Sequence, residues 1–148
     1  MNLFYFLLVF TAGIGVTLQL GVNSQLRQAV GNPALSALVS FLVGTSALLL
    51  YVVGTAKNTL PALETFRGIA WWKYAGGMLG AFYITTVIIA APRIGAANVM
   101  ALTIAGQLLA ALVCDHFGWI GFSVQPVNIY RVLGVLLILA GVYLMQRT

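Results

Sequence analysis

The sequence predicts an all-α membrane protein with five spanning helices, and three observations carry that reading. Of 148 residues, 61% are hydrophobic and 6% charged, where a soluble domain carries about 25% charged residues. Mean hydropathy is +1.04. Apolar stretches recur along the chain that are long enough to cross a hydrocarbon core, which needs about 20 helical residues. So little polar surface cannot cover a water-facing globule, and no segment is left for a separate soluble domain. The net charge of +5 sits in short connections, where cations meet lipid headgroups and set orientation; it is not a nucleic-acid footprint. Cys114 is the sole cysteine, so an internal disulfide is excluded. The N-terminus turns apolar at Leu3 with no basic stretch before it, so it reads as a retained first helix rather than a signal peptide.

The first span is expected over about residues 3–25. Gln19 and Asn23 lie four apart near its end, on one face, and a polar row on an oily helix suits a helix neighbour or a cavity rather than lipid. Gly31-Asn32-Pro33 reads as a stop followed by a first helical turn, opening a second span over 33–54. Ser36, Ser40 and Gly44 recur every four residues there, a small-residue ridge that lets backbones approach closely in lipid. A short interfacial helix is expected between Thr55 and Trp72, from the helical spacing of Leu60, Leu63, Phe66 and Ile69 among charges. Trp71 and Trp72 read as aromatic-belt anchors. The third span, 73–90, carries Gly76 and Gly80 and ends in an expected tight turn, Ala91 to Gly95, around Pro92. The fourth, 96–114, pairs Thr103 with Gln107 at helical spacing. A loop rich in glycine and aromatics follows, then the fifth span, 130–145. There Gly134 and Gly141 stand a heptad apart and are candidates for dimer packing. Five spans put the two termini on opposite sides.

Sorted by side, Lys57, Arg67, Lys73 and Arg131 share the side of the N-terminus, and Arg27, Arg93 and Arg147 the other, four against three. Orientation follows Lys/Arg asymmetry, and here there is almost none. Either the cluster from Lys57 to Lys73 weakly fixes one topology, or copies insert both ways and pair as an antiparallel homodimer. Such a pair would have the inverted symmetry that secondary transporters use for alternating access.

Particular stretches carry a family resemblance: GVNSQLRQAVGNPALSALVSFLVG (Gly21–Gly44), YAGGMLGAFY (Tyr74–Tyr83), APRIGAANVMALTIAGQ (Ala91–Gln107), the DHFG at Asp115–Gly118 and the ending GVLLILAGVYLM (Gly134–Met145). Together they resemble the YdcZ-like family of bacterial inner-membrane proteins, a branch of the drug/metabolite transporter superfamily. The resemblance covers nearly the whole chain. It implies a five-helix half-unit in the bacterial inner membrane, with single-unit members pairing antiparallel, and it implies no firm substrate.

Gln19 and Asn23 are candidates to bind a solute, with Asn23 at a motif position of the resemblance; the plain alternative is an interhelical amide hydrogen bond. Ser40 in the second span, Tyr83 in the third and Gln107 in the fourth are further candidate wall residues. Each has helix packing as its alternative, and a buried amide such as Gln107 must find partners. Glu64 and Asp115 are the two acidic residues, and neither is expected mid-membrane. Asp115, beside His116, is a candidate for proton coupling, with a loop anchor as its alternative. The small multidrug resistance proteins, similar in size and pairing, rely on a carboxylate deep in the first helix; this chain has none there, which argues against the same cation exchange. Cys114, Asp115 and His116 are adjacent and cannot face one another on a helix, so no metal site is expected, and no cofactor. No nucleophile–base pair or paired carboxylates point to an enzyme. The expected function is therefore a secondary transporter of a small solute, acting by alternating access in an antiparallel homodimer and in contact with the lipid bilayer. A neutral or anionic solute fits the lack of a buried acid better than a cationic drug. The alternative is a non-transporting scaffold, or one subunit of a hetero-oligomeric membrane complex.

Overall fold

The computed structural model describes residues 3–55 and 60–147, so Lys57 lies outside the described residues. Among them the regular structure is helical, with no strand. The order is α1 (Leu3–Val30), α2 (Pro33–Thr55), α3 (Leu63–Arg67), a 3-10 turn (Trp71–Tyr74), α4 (Ala75–Ile94), α5 (Ala96–Phe117), a second 3-10 turn (Trp119–Gly121) and α6 (Ile129–Met145). Four stretches are long and apolar enough to cross a membrane: α1, α2, Trp71–Ile94 and α5. The fifth long helix, α6, is apolar and has 17 residues. The chain divides into two compact units, Met1–Pro92 and Arg93–Thr148.

The helices keep the apolar faces that the composition demands. Leu3 to Phe10 are each more than half exposed, which in water would be untenable for eight consecutive apolar residues and in lipid is the expected state. Several lipid-facing hydroxyls turn back onto their own helix's backbone, as lipid offers no other partner. Thr11 donates to the Leu7 and Leu8 carbonyls, Ser46 to Leu42 and Thr55 to Tyr51.

In the N-terminal unit α1 and α2 pack together. α1 continues five residues past the expected end of the first span near Gln25, to Val30, just short of the expected stop at Gly31. Polarity marks where the bilayer ends, not where the helix does, and 28 residues span about 42 Å at 1.5 Å per residue. The stop is Gly31, at φ +73°, a left-handed conformation that glycine adopts without a Cβ clash; its N–H bonds the Arg27 carbonyl at 2.8 Å. Asn32 then caps α2, its Oδ1 accepting from the Ala34 and Leu35 amides at 2.8 and 3.1 Å. The expected ridge faces α1. Ser36 is fully enclosed and donates its hydroxyl to the Asn23 carbonyl at 2.8 Å. α4 meets α2 at Gly80, where a Cβ would lie 3.4 Å from the Phe41 ring, while Gly76 has open space beside it.

Two expectations change. The interfacial helix shrinks to the five residues of α3, because Pro61 disfavours helix in the residue before it and Gly68 closes the far end. The Tyr74 hydroxyl, on the Phe66 carbonyl at 2.9 Å, ties this segment to the start of the next span. The expected turn from Ala91 to Gly95 is instead the last turn of α4, which runs through Pro92 to Ile94 and breaks only at Gly95, φ +82°. Proline removes one hydrogen bond from a helix but does not by itself end it.

In the C-terminal unit α5 packs on α6. α5 ends on Gly118 at φ +65°, where a Cβ would fall 2.7 Å from a Val124 methyl carbon, so only glycine fits this turn. Asn128 caps α6 through the Arg131 amide at 2.9 Å.

Candidate functional site

The N-terminal unit holds an open cleft of about 230 Å³ between α1 and α2, lined by Gln19, Ser40, Phe41, Gly44, Thr45 and Leu48. The helical repeat builds it. Ser40 and Gly44 follow Ser36 on the small ridge, so α2 has no bulk there to fill the space against α1. Gln19 and Ser40, two of the sequence candidates, are therefore brought together. The Gln19 amide and the Ser40 and Thr45 hydroxyls have no hydrogen-bond partner among the described residues. The cleft is polar at these three groups, apolar at Phe41 and Leu48, and uncharged. It can offer hydrogen bonds to a small polar solute but no counter-ion to a charged one. Thr45 is a lining residue that the sequence reading missed, although it stands four after Phe41, one helical turn along the same face.

Asn23 lies one turn from Gln19 on α1 but does not line the cleft. It is 2% exposed, its carbonyl takes the Ser36 hydroxyl, and among the described residues its Nδ2 has no partner; nor does the buried Ser24 hydroxyl. An unsatisfied buried donor costs about 1–3 kcal/mol. Tyr83 is half-buried on α4, three residues from the Gly80 that meets Phe41.

The other candidates belong to the C-terminal unit. Gln107 is exposed on α5 and has no hydrogen-bond partner among the described residues. Gly134 lines a second cleft, about 250 Å³, between α5 and α6, with Leu108, Ala111, Leu112, Arg131, Val135 and Ile138. Gly141 is half-buried with nothing within 4 Å of a Cβ built there.

Asp115 forms an ion pair with Arg131, at the start of α6. Arg131 also donates to the Gln125 carbonyl at 2.8 Å, and the Gln125 amide returns to the Asp115 carbonyl at 2.8 Å. Beside them the Val127 amide donates to His116 Nδ1 at 3.2 Å. Asp115 and His116 thus pin the loop between α5 and α6 from one end. Among the described residues no group of three or more His, Cys, Asp or Glu could hold a metal.

The pinned loop sets a stability order. Arg131→Met removes the ion pair and the Gln125 bond and leaves a carboxylate that is 19% exposed without its partner. Asp115→Asn removes only the charge. Arg131→Met is expected to cost about 2 kcal/mol and Asp115→Asn about 1. Thermal unfolding of both variants in detergent checks the order, and equal midpoints would contradict it.

These features define a multi-spanning helical membrane protein. Its family follows from comparison: the family model described as "Putative inner membrane exporter, YdcZ" matches residues 4–144, and the chain belongs to that family. "Inner membrane protein YdcZ" of Escherichia coli (strain K12) is 25% identical over 139 residues, covering 94% of this chain and 92% of that protein. No solved structure matches the chain. The protein is a multi-pass inner-membrane protein, and its family supports a membrane transporter in general.

Proposed function

We propose that the protein is a secondary transporter that moves a small polar solute by alternating access between two antiparallel copies of a five-span unit, with α6 as the fifth span. The observation that carries this reading is the four-to-three balance of Lys and Arg across the two sides, which leaves little to choose an orientation. At 17 residues α6 extends about 26 Å, close to the hydrocarbon thickness. Two inverted copies would supply the two-fold axis in the membrane plane around which alternating access works. The description of the family as an exporter supports outward movement.

The α1–α2 cleft is the candidate solute wall, with Gln19 and Ser40 as its hydrogen-bonding groups and Asn23 and Tyr83 as neighbours on α1 and α4; Gln107, in the C-terminal unit, is a separate candidate. An exposed, unpartnered amide on a spanning helix is costly against lipid, and a partner copy or a water-filled path would relieve Gln19 and Gln107 alike. Gly134 and Gly141 are the candidate dimer contacts on α6. The Asp115–Arg131 pair supports a loop anchor more than proton coupling, because both residues are engaged in holding the loop between α5 and α6.

The test is flux. Proteoliposomes loaded with a defined mixture of small neutral and anionic metabolites are followed by mass spectrometry of the outer solution. One or a few solutes are expected to leave at least about tenfold faster than from protein-free vesicles, a barrier lower by about 1.4 kcal/mol, and the excess is expected to vanish in Gln19→Ala and Gln107→Ala. If no solute escapes faster than from empty vesicles, the non-transporting scaffold replaces this reading.

A further inference from the structure

Pro92 lies inside the last turn of α4. It has no N–H, so the carbonyl four residues earlier, on Ile88, loses its partner within the helix. Ile88 is 0% exposed, and water cannot replace the missing donor. Arg27 does so: from the last turn of α1 its Nη1 donates to the Ile88 carbonyl at 3.3 Å. Arg27 is itself half-buried and is not paired with a carboxylate; the ion pair found among the described residues is Asp115 with Arg131. An orphaned carbonyl and an unpaired cation, each costly alone, are thus matched to each other. Arg27 stands four residues beyond Asn23 and eight beyond Gln19, on the same face of α1.

We propose that Arg27 is a positioning residue, a clasp that fastens α1 to the proline break of α4 by supplying the hydrogen bond that Pro92 withholds from the Ile88 carbonyl. A cation near the end of a spanning helix has a simpler role available, reaching to lipid headgroups. That role takes no notice of residue 92. The clasp does, because an N–H restored there satisfies the Ile88 carbonyl from within α4. Any part the clasp plays in transport rests on the reading above; the clasp itself does not.

The experiment is a double-mutant cycle on the full chain in detergent, read by the unfolding temperature through tryptophan fluorescence. The four proteins are the native chain, Arg27→Gln, Pro92→Ala and the double variant. Arg27→Gln is expected to lower the midpoint by several degrees when residue 92 is proline, and by less than half as much when it is alanine. Arg27→Lys, which keeps a donor, is expected to restore part of the loss. Equal losses in both backgrounds, or no loss in either, overturn the proposal. A second measurement needs no proline variant. Amide exchange over Ile88–Ile94 is expected to speed up in Arg27→Gln while exchange in α6 stays as it was, and unchanged exchange in the α4 segment also overturns the clasp. Both readouts stand whether or not any solute is moved.

Discussion

Leucine in place of Ser36 is expected to unseat α2 from α1. Ser36 is 0% exposed, with Leu20, Asn23 and Ala37 each buried to within a few per cent around the same crossing. Its hydroxyl is spent on the Asn23 carbonyl. In lipid no hydrophobic drive holds two helices together, so close packing and interhelical bonds must. Three extra carbons at a closed contact force one backbone away from the other, which costs about 1–3 kcal/mol, and the lost bond adds about 0.6. At about 2–4 °C per kcal/mol for a chain of this size, the midpoint in detergent should fall by roughly 10 °C. Ser36→Ala separates the two causes, since it removes the bond and leaves the space; it should fall by only about 2 °C. A leucine variant that melts with the native protein would mean that the ridge does not face α1.

The second large effect concerns orientation. With cations at four against three, single changes should tip the balance. Arg93 is exposed and makes no side-chain bond among the described residues, so Arg93→Gln alters charge with little structural cost. It leaves four against two, counting from the sides given by Lys57, Arg67, Lys73 and Arg131 against Arg27 and Arg147. A C-terminal tag should then move from about half outside to at least about three-quarters outside. Lys57→Gln with Arg67→Gln leaves two against three and should move the tag the opposite way. Each biased variant alone should lose flux, and co-expression of the two should restore it. A protein with one fixed orientation would show no such shift, and its variants would not complement.

Much of the helical order is legible in the sequence because the bilayer imposes it. Long apolar runs must be helices in lipid, and Gly31-Asn32-Pro33 carries its own stop and start chemistry. The Ser36–Ser40–Gly44 ridge also states its face, since small residues at fours can only be there to admit a neighbour. What a linear reading misses are the partnerships across distance. Arg27 reads as a topological charge until the missing N–H of Pro92 is set beside the Ile88 carbonyl. The signal was present, a proline four residues after an apolar position on another span, but nothing in the sequence says which helix supplies the donor. Asp115 reads as a helix-end acid because its partner, Arg131, lies across an irregular loop whose path depends on Gly118 and on Val124 behind it. The helix stop at Gly31 is legible, and α1 runs on to it past the expected end of the first span because Gln25, Arg27 and Gln28 are polar yet good helix formers. Of the site, the pairing of Gln19 with Ser40 follows from two helical repeats meeting. The burial of Asn23 does not, since a one-turn shift on the same face takes it out of the cleft and under Ser36.

Thiol labelling of topology tests the central claim most directly. Cys114 is replaced by alanine, a single cysteine is added after Thr148, and intact and permeabilised cells are treated with a membrane-impermeant reagent. About half of the protein should label from outside, because the near-equal charge on the two sides leaves the bilayer little preference. If the whole population labels from one side only, the antiparallel homodimer is contradicted, and any inverted pairing must come from a second chain of opposite orientation.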